Sequence, residues 1–135
     1  PEQARVRVDR SDLDRFVFRD DDLIAAVGQD GLVANVAKYL HGQMVIGVNP
    51  DPESFDGVLC PHWAKDVPAL LGWPQAAPTM FWLQQRTMIQ AVREDGQRLL
   101  ALNEIYFGSR THQSARYMLH VDGRSERHSS SGVIV

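Results

Sequence analysis

The sequence predicts an α/β fold in two lobes: an N-terminal lobe with a parallel sheet, then the start of an antiparallel, β-rich lobe. In residues 15–71 short apolar runs alternate with a helical pattern, which is typical of a βαβ unit. After a proline-bearing stretch over residues 73–78, strand patterns are separated by Asp-Gly pairs, which are typical of hairpins. We therefore assign the lobes to residues 1–78 and 79–135. We expect the second lobe to be incomplete, because its last strand pattern runs to the end of the chain.

The composition is that of an ordinary globular protein. Of 135 residues, 44% are hydrophobic and 23% are charged, which argues against a disordered chain or a fibre. No apolar run approaches the roughly 18 residues of a membrane span, and the start of the chain does not resemble a signal peptide. The net charge of −3 is too small to indicate a nucleic-acid partner, and the single cysteine cannot form an internal disulfide. These features predict a cytoplasmic protein with neither a membrane nor a nucleic acid as partner.

The elements of the first lobe follow from apolar spacing. Residues 15–18 form a short strand pattern, and the apolar run over 23–27, which ends at a glycine, is typical of a buried parallel strand. Apolar residues at helical spacing predict a helix from residue 30 to about 40. A second apolar strand pattern covers 43–48 and is closed by the loop sequence at 49–52. Strand, helix and strand with short connections predict parallel pairing.

The second lobe is predicted from alternating strand patterns and turn signals. Asp95-Gly96 and Asp122-Gly123 are hairpin signals. The predicted strands cover residues 87–93, 98–107, 116–121 and 132–135.

A glycine-flanked aspartate stands at the turn between the strand at 23–27 and the helix that follows it. Ligands of open α/β sheets bind at the carboxyl ends of the strands, where this turn lies. Gly28 and Gly31 would let the phosphates of a ligand approach the backbone. The carboxylate of Asp30 would then act on a hydroxyl or hold a metal. The alternative is that Asp30 only caps the helix.

An Asn-Glu pair interrupts an apolar strand pattern over residues 100–106. Because neighbouring strand residues face opposite ways, we expect either Asn103 or Glu104 to point towards the interior. A buried polar side chain needs partners, so the pair indicates a ligand or a fixed hydrogen-bond network. The alternative is that one residue is satisfied in the core while its neighbour is exposed.

These two motifs, in this order and with Gly47-Val48-Asn49 between them, resemble the motifs of the NAD kinase family. The resemblance extends from about Leu23 to the end of the chain. It implies a Rossmann-like first lobe, a substrate-binding second lobe and assembly into a dimer or tetramer. It also implies transfer of a phosphoryl group from ATP or polyphosphate to the 2′-hydroxyl of the adenosine ribose of NAD, giving NADP. Mg²⁺ would enter with ATP, held by phosphates and water, and we expect no metal site formed by the protein alone.

The resemblance also assigns roles to residues of the first lobe. Asp30 becomes the general base that acts on the 2′-hydroxyl, while Gly28 and Gly31 open the backbone to phosphates. Asn49 would end the second strand beside the same site. Phe55 lies six residues further on, where the family often has an aromatic residue near the adenine.

In the second lobe the resemblance implies that Asn103 and Glu104 hold the nucleotide. Ser131 stands where an aspartate often precedes the final strand, at a position used near the nicotinamide end. Other positions depart from the family pattern: Gln29 replaces a glycine, and prolines stand in the loop after the second strand, where the family has glycines. The chain also stops where a Gly/Thr/Ser-rich segment of the family begins. Two alternatives follow: a non-catalytic nucleotide-binding homologue, and a kinase for a lipid or sugar hydroxyl.

Overall fold

The computed structural model describes residues 4–71 and 83–135, and the chain divides into two units, Pro1–Thr87 and Met88–Val135. The predicted boundary between residues 78 and 79 and the proline-bearing stretch over 73–78 lie outside the described residues. The first unit contains a parallel sheet and the second contains antiparallel strands, so the mixed α/β fold is confirmed. Within the described ranges, no helix has the length and apolar character needed to cross a membrane.

The first unit is built on the predicted βαβ arrangement. Strand β1 covers Leu23–Val27, helix α1 covers Asp30–Ala37 and strand β2 covers Met44–Asn49. The two strands pair in parallel, from Leu23 opposite Met44 to Val27 opposite Val48. Their carboxyl ends therefore lie side by side, and α1 starts at that edge of the sheet.

Beyond β2 lie elements that the sequence did not predict. A two-residue strand β3, His62–Trp63, pairs in parallel with the end of β2. A turn of 3-10 helix over Ala64–Asp66 then leads into helix α2, Val67–Leu71. The sheet order is β1-β2-β3. Residues 50–61, called the β2–β3 loop below, therefore start and end at neighbouring strands.

The core of the first unit lies between α1, the sheet and the N-terminal segment. Its buried members are Leu13, Val36 and Leu40. Partly buried side chains that pack against them are Val8, Phe18, Ile24, Leu32, Tyr39 and Val45. The other side of β1 is open among the described residues, since Val27 is 57% exposed. This strand is thus buried on one face only, whereas the sequence predicted a buried strand.

The strand predicted over residues 15–18 is wrong. These residues follow a turn of 3-10 helix at Arg10–Asp12, and they pair with no strand in the part of the chain that the structure describes. The rings of Phe16 and Phe18 instead meet edge to face, 4.8 Å apart. Because Phe18 also packs against the core, its apolar character reflects side-chain packing rather than sheet pairing.

The second unit consists of three antiparallel strand pairs. The pairs are β4 (Ile89–Val92) with β5 (Arg98–Ala101), β6 (Tyr106–Gly108) with β9 (Gly132–Ile134), and β7 (Ala115–Val121) with β8 (Arg124–Ser130). Both predicted hairpin turns are present. Gly96 has a φ of +83°, while Asp122 and Gly123 have φ values of 49° and 76°. Two successive positive φ values are the requirement of a type I′ turn, which explains the Asp-Gly sequence.

The single strand predicted over residues 98–107 is broken in the structure. Strand β5 ends at Ala101 and β6 begins at Tyr106, because the chain changes its partner from β4 to β9. Ile105 and Val135 exchange both backbone hydrogen bonds, at 2.9 and 3.1 Å, and so extend the new pairing by one residue. The interruption falls on the Asn-Glu pair.

Candidate functional site

The carboxylate of Asp30 lies at the carboxyl ends of β1 and β2 and is bound by the β2–β3 loop. Its Oδ1 accepts the backbone N–H groups of Leu59 at 2.7 Å and Cys60 at 3.1 Å. Its Oδ2 accepts the N–H of Val58 at 2.9 Å. A carboxylate has about four acceptor positions, so the loop occupies three of them. Oδ2 accepts only one of these N–H groups, so it can accept more additional hydrogen bonds than Oδ1.

Asp30 does not cap its own helix. The N-cap position is held by Gln29, whose extended backbone carries no capping side chain, and Asp30 is the first helical residue. Its negative charge in the first turn is favourable beside the partial positive charge of the helix end. The side chain, however, reaches across to residues almost thirty positions further along the chain. The helix-cap alternative is therefore wrong, and the aspartate joins α1 to the loop after β2.

Asn49, at the end of β2, anchors the first part of the β2–β3 loop. Its side chain is 3% exposed. The amide Nδ2 donates to the carbonyl of Phe55 at 2.7 Å, and Oδ1 accepts the N–H of Asp51 at 3.0 Å. Both ends of the amide are thus used within the protein. The predicted position beside Asp30 at the strand end is found, and the side chain there fixes the loop.

Two glycines allow the loop to pack this closely. Gly57 has a φ of +68°, and a Cβ there would lie 2.6 Å from the carbonyl oxygen of Cys60 and 2.8 Å from Nδ2 of Asn49. A Cβ on Gly47, within β2, would clash with the carbonyl oxygen of Leu59. The prolines of this loop stand out in the sequence, whereas the role of Gly57 was not predicted. The sequence signal for it is the glycine itself, because a glycine in a loop often marks a tight backbone turn.

The other predicted residues of the first unit lie around the same strand ends. The Gly28 N–H donates to the carbonyl of Val48 at 2.9 Å and continues the sheet. Gly31 is exposed, and a Cβ there would meet nothing within 4 Å. The side chain of Phe55 is 44% exposed on the loop, and Gln29 is exposed at the N-cap. The direction in which a side chain at Gly31 would project is therefore open.

Replacing Asn49 with alanine tests the role of its amide. We expect Asn49→Ala to lower the free energy of unfolding by about 1–3 kcal/mol, because two backbone groups lose their partners. Denaturant unfolding of both proteins measures this difference. Asn35, on α1, accepts from Lys38 Nζ at an exposed position, so Asn35→Ala should change stability by less than about 0.5 kcal/mol. Equal effects of the two substitutions would contradict the anchoring role of Asn49.

Cys60 is a buried thiol beside this site, with 1% of its surface exposed. Burial raises the pKa of the Cys60 thiol above its usual range, and the charge and hydrogen bonding of the Asp30 carboxylate act in the same direction. The thiol thus stays protonated in the folded state at pH values where the unfolded chain loses the proton. Across that pH range the folded state binds more protons than the unfolded state. The free energy of unfolding therefore falls as the pH rises above about 8.5, the pKa of a cysteine thiol in the unfolded chain.

The expected result is a free energy of unfolding that decreases between pH 8.5 and pH 10 more steeply in the wild type than in Cys60→Ala. The alanine variant has a lower absolute stability because it leaves a cavity, but it lacks this titrating group. Urea unfolding at a series of pH values measures both slopes. Parallel pH dependence of the two proteins would show that Cys60 does not titrate differently on folding.

The predicted residues of the second unit do not form one cluster. Asn103 and Glu104 lie between β5 and β6, and both are exposed. The expectation that one of them points inwards is therefore wrong; the buried residues here are Ala101 and Ile105 on either side. Ser131 lies in the turn before β9, and its carbonyl accepts the hydroxyl of Tyr106 at 2.6 Å. Since β6 and β9 are antiparallel, Ser131 lies at the opposite end of that strand pair from the Asn-Glu pair.

Among residues 4–71 and 83–135, no group of three or more His, Cys, Asp or Glu side chains is placed to bind a metal ion.

No protein-family model matches this chain, and no curated protein or solved structure is significantly similar to it.

Proposed function

We propose that this protein is a phosphotransferase with an alcohol acceptor, and that Asp30 acts on the acceptor hydroxyl. The observation that carries the proposal is the position of the Asp30 carboxylate at the carboxyl ends of two parallel strands, held by three backbone N–H groups. This edge of an α/β sheet is where nucleotide ligands bind. In the free protein these donors keep the carboxylate at this edge of the sheet, where an acceptor hydroxyl would bind.

Oδ2 of Asp30 is the more accessible of the two carboxylate oxygens in the free protein. Oδ1 already accepts two N–H groups from the loop, whereas Oδ2 accepts one, on the exposed side. We expect the acceptor hydroxyl to donate to this carboxylate as it attacks the phosphoryl group. In a loose phosphoryl-transfer transition state the hydroxyl loses its proton late, so a moderately basic carboxylate suffices. Mg²⁺, which neutralises charge on the transferred phosphoryl group, would enter with the donor.

The acceptor that we propose is NAD, with ATP or polyphosphate as donor and NADP as product. This specific choice depends on the ordered motifs of the sequence, which resemble those of NAD kinases. Gly28 and Gly31 would admit phosphates, and the exposed ring of Phe55 would lie near the adenine. In the second unit the side chains of Asn103 and Glu104 are both exposed and so accessible to a ligand.

A second candidate, a non-catalytic nucleotide-binding protein, is favoured by one observation. Three of the acceptor positions on Asp30 are occupied by the β2–β3 loop, as a purely structural aspartate would require. Gln29 adds a side chain where the family has a glycine. This candidate predicts nucleotide binding by calorimetry without turnover.

A comparison of acceptors tests the proposal. The full-length protein is incubated with Mg-ATP or polyphosphate and with NAD, with a 2′-deoxy analogue of NAD, or with simple sugar and lipid alcohols. We expect a phosphorylated product from NAD and none from the 2′-deoxy analogue, which lacks the accepting hydroxyl. Phosphorylation of the other alcohols in preference to NAD would favour the lipid or sugar kinase alternative. Binding without any product would favour the non-catalytic candidate.

A further inference from the structure

The three N–H groups that bind Asp30 form an anion site in the loop itself. They belong to the consecutive residues Val58, Leu59 and Cys60, directly after the left-handed Gly57. Successive backbone N–H groups that converge after such a residue form a concave site for anions. The anion in this structure is the carboxylate of Asp30.

The loop side of this contact is fixed. The carbonyl of Leu59 packs against Gly47 of β2 so closely that no Cβ would fit between them. Gly57 also packs closely against the amide of Asn49, which donates to the carbonyl of Phe55. The N–H groups therefore keep their positions, and the short side chain of Asp30 is the part that can rotate between staggered conformers.

One edge of the site is open to solvent. Val58 is 73% exposed, and its hydrogen bond to Oδ2 of Asp30 lies on the exposed side, whereas Leu59 and Cys60 donate from partly buried positions. The N–H of Val58 is thus the most solvent-accessible of the three donors. Two anions cannot share the three donors, because like charges at such short distance repel strongly.

We propose that the N–H groups of residues 58–60 are a phosphate site that Asp30 occupies in the free protein and leaves when a phosphate-bearing nucleotide binds. The carboxylate that is released then becomes available to the acceptor hydroxyl, so phosphate binding and the freeing of Asp30 are one event. The ligand class, a nucleoside polyphosphate or pyrophosphate, rests on the proposed function. The exchange of the Asp30 carboxylate for a phosphate depends only on the N–H groups of the loop.

Inorganic pyrophosphate tests this exchange without any turnover. In the full-length wild-type protein, titration with pyrophosphate should shift the amide resonances of Val58, Leu59 and Cys60 together and to saturation. In Asp30→Ala the competing carboxylate is absent, so pyrophosphate should bind about tenfold more tightly than in the wild type. Asp56→Ala is the matched control, since it removes one exposed acidic residue of the same loop and should leave the affinity near the wild-type value.

Equal pyrophosphate affinities of Asp30→Ala and Asp56→Ala would overturn the proposal, because general charge removal would then explain any gain. Absence of shifts at these three amides in both the wild type and Asp30→Ala would overturn it as well. If Asp30→Ala does not fold, the wild-type titration decides alone. Because the readout is binding, failure of the kinase proposal, seen as missing NADP, is distinguishable from failure of the exchange.

Discussion

Asp30→Asn is expected to lower the rate of NADP formation by about 10²–10⁴, the usual contribution of a general base. The substitution retains the shape of the side chain and one oxygen for the loop, but it removes the group that accepts the hydroxyl proton. Some stability is lost too, about 1–3 kcal/mol, because an amide –NH₂ would face one of the loop N–H donors. Initial rates at saturating NAD and Mg-ATP, with circular dichroism to verify folding, measure both effects.

The control for this variant is Asp56→Asn. Asp56 is exposed on the same loop and carries the same charge, so it reports any general electrostatic effect on substrate binding. We expect its rate to stay within about twofold of the wild type, since exposed charges contribute little at physiological salt. An unchanged rate in a folded Asp30→Asn protein would rule out Asp30 as the base.

Gly47→Ala is the substitution with the largest expected effect on stability. The added Cβ would clash with the carbonyl oxygen of Leu59 and lie 2.8 Å from Cα of Cys60, both of which are backbone atoms. Neither atom can move without displacing the residues that bind Asp30. We expect a loss of about 3 kcal/mol or more in the free energy of unfolding, at the upper end of the range for overpacking. Denaturant unfolding measures the loss.

Gly31→Ala is its matched control within the same unit. The position lies in the first turn of α1, and a Cβ there has no neighbour within 4 Å. Alanine has the higher helix propensity, so stability should stay the same or rise by up to about 1 kcal/mol. If Gly31 admits phosphates as proposed, the same variant should bind nucleotide more weakly while it unfolds no more easily. Equal destabilisation by both alanines would contradict the packing account of Gly47.

The βαβ unit could be predicted because each of its signals is local. β1 is a continuous apolar run that stops at Gly28, and α1 begins at Asp30 with apolar residues at helical spacing. The Asp122-Gly123 turn was predictable for the same reason, since a type I′ turn requires two residues that tolerate positive φ. Such signals depend on residues a few positions apart and need no knowledge of the tertiary structure.

The elements that were missed depend on distant partners. Strand β8 has the sequence Arg-Ser-Glu-Arg-His-Ser-Ser, which lacks an apolar face, and it exists because the hairpin turn aligns it with β7. The break between β5 and β6 comes from a change of strand partner, which no local pattern records. The candidate site shows the same limit. Asp30 was identified from its turn, but its partners at residues 58–60 are backbone groups, and backbone N–H groups leave no signature in side-chain sequence.

The central claim is phosphoryl transfer to the 2′-hydroxyl of NAD with Asp30 as base, and ³¹P NMR of the reaction mixture tests it most directly. The full-length protein is given NAD with Mg-ATP or, in a parallel sample, with polyphosphate. Each spectrum is followed for a new phosphomonoester resonance beside those of the donor and the dinucleotide pyrophosphate. The account predicts that this resonance grows with the wild type and is absent with folded Asp30→Asn. Absence of the 2′-phosphomonoester with both donors, in the presence of folded wild-type protein and whether or not the donor is hydrolysed, would contradict it.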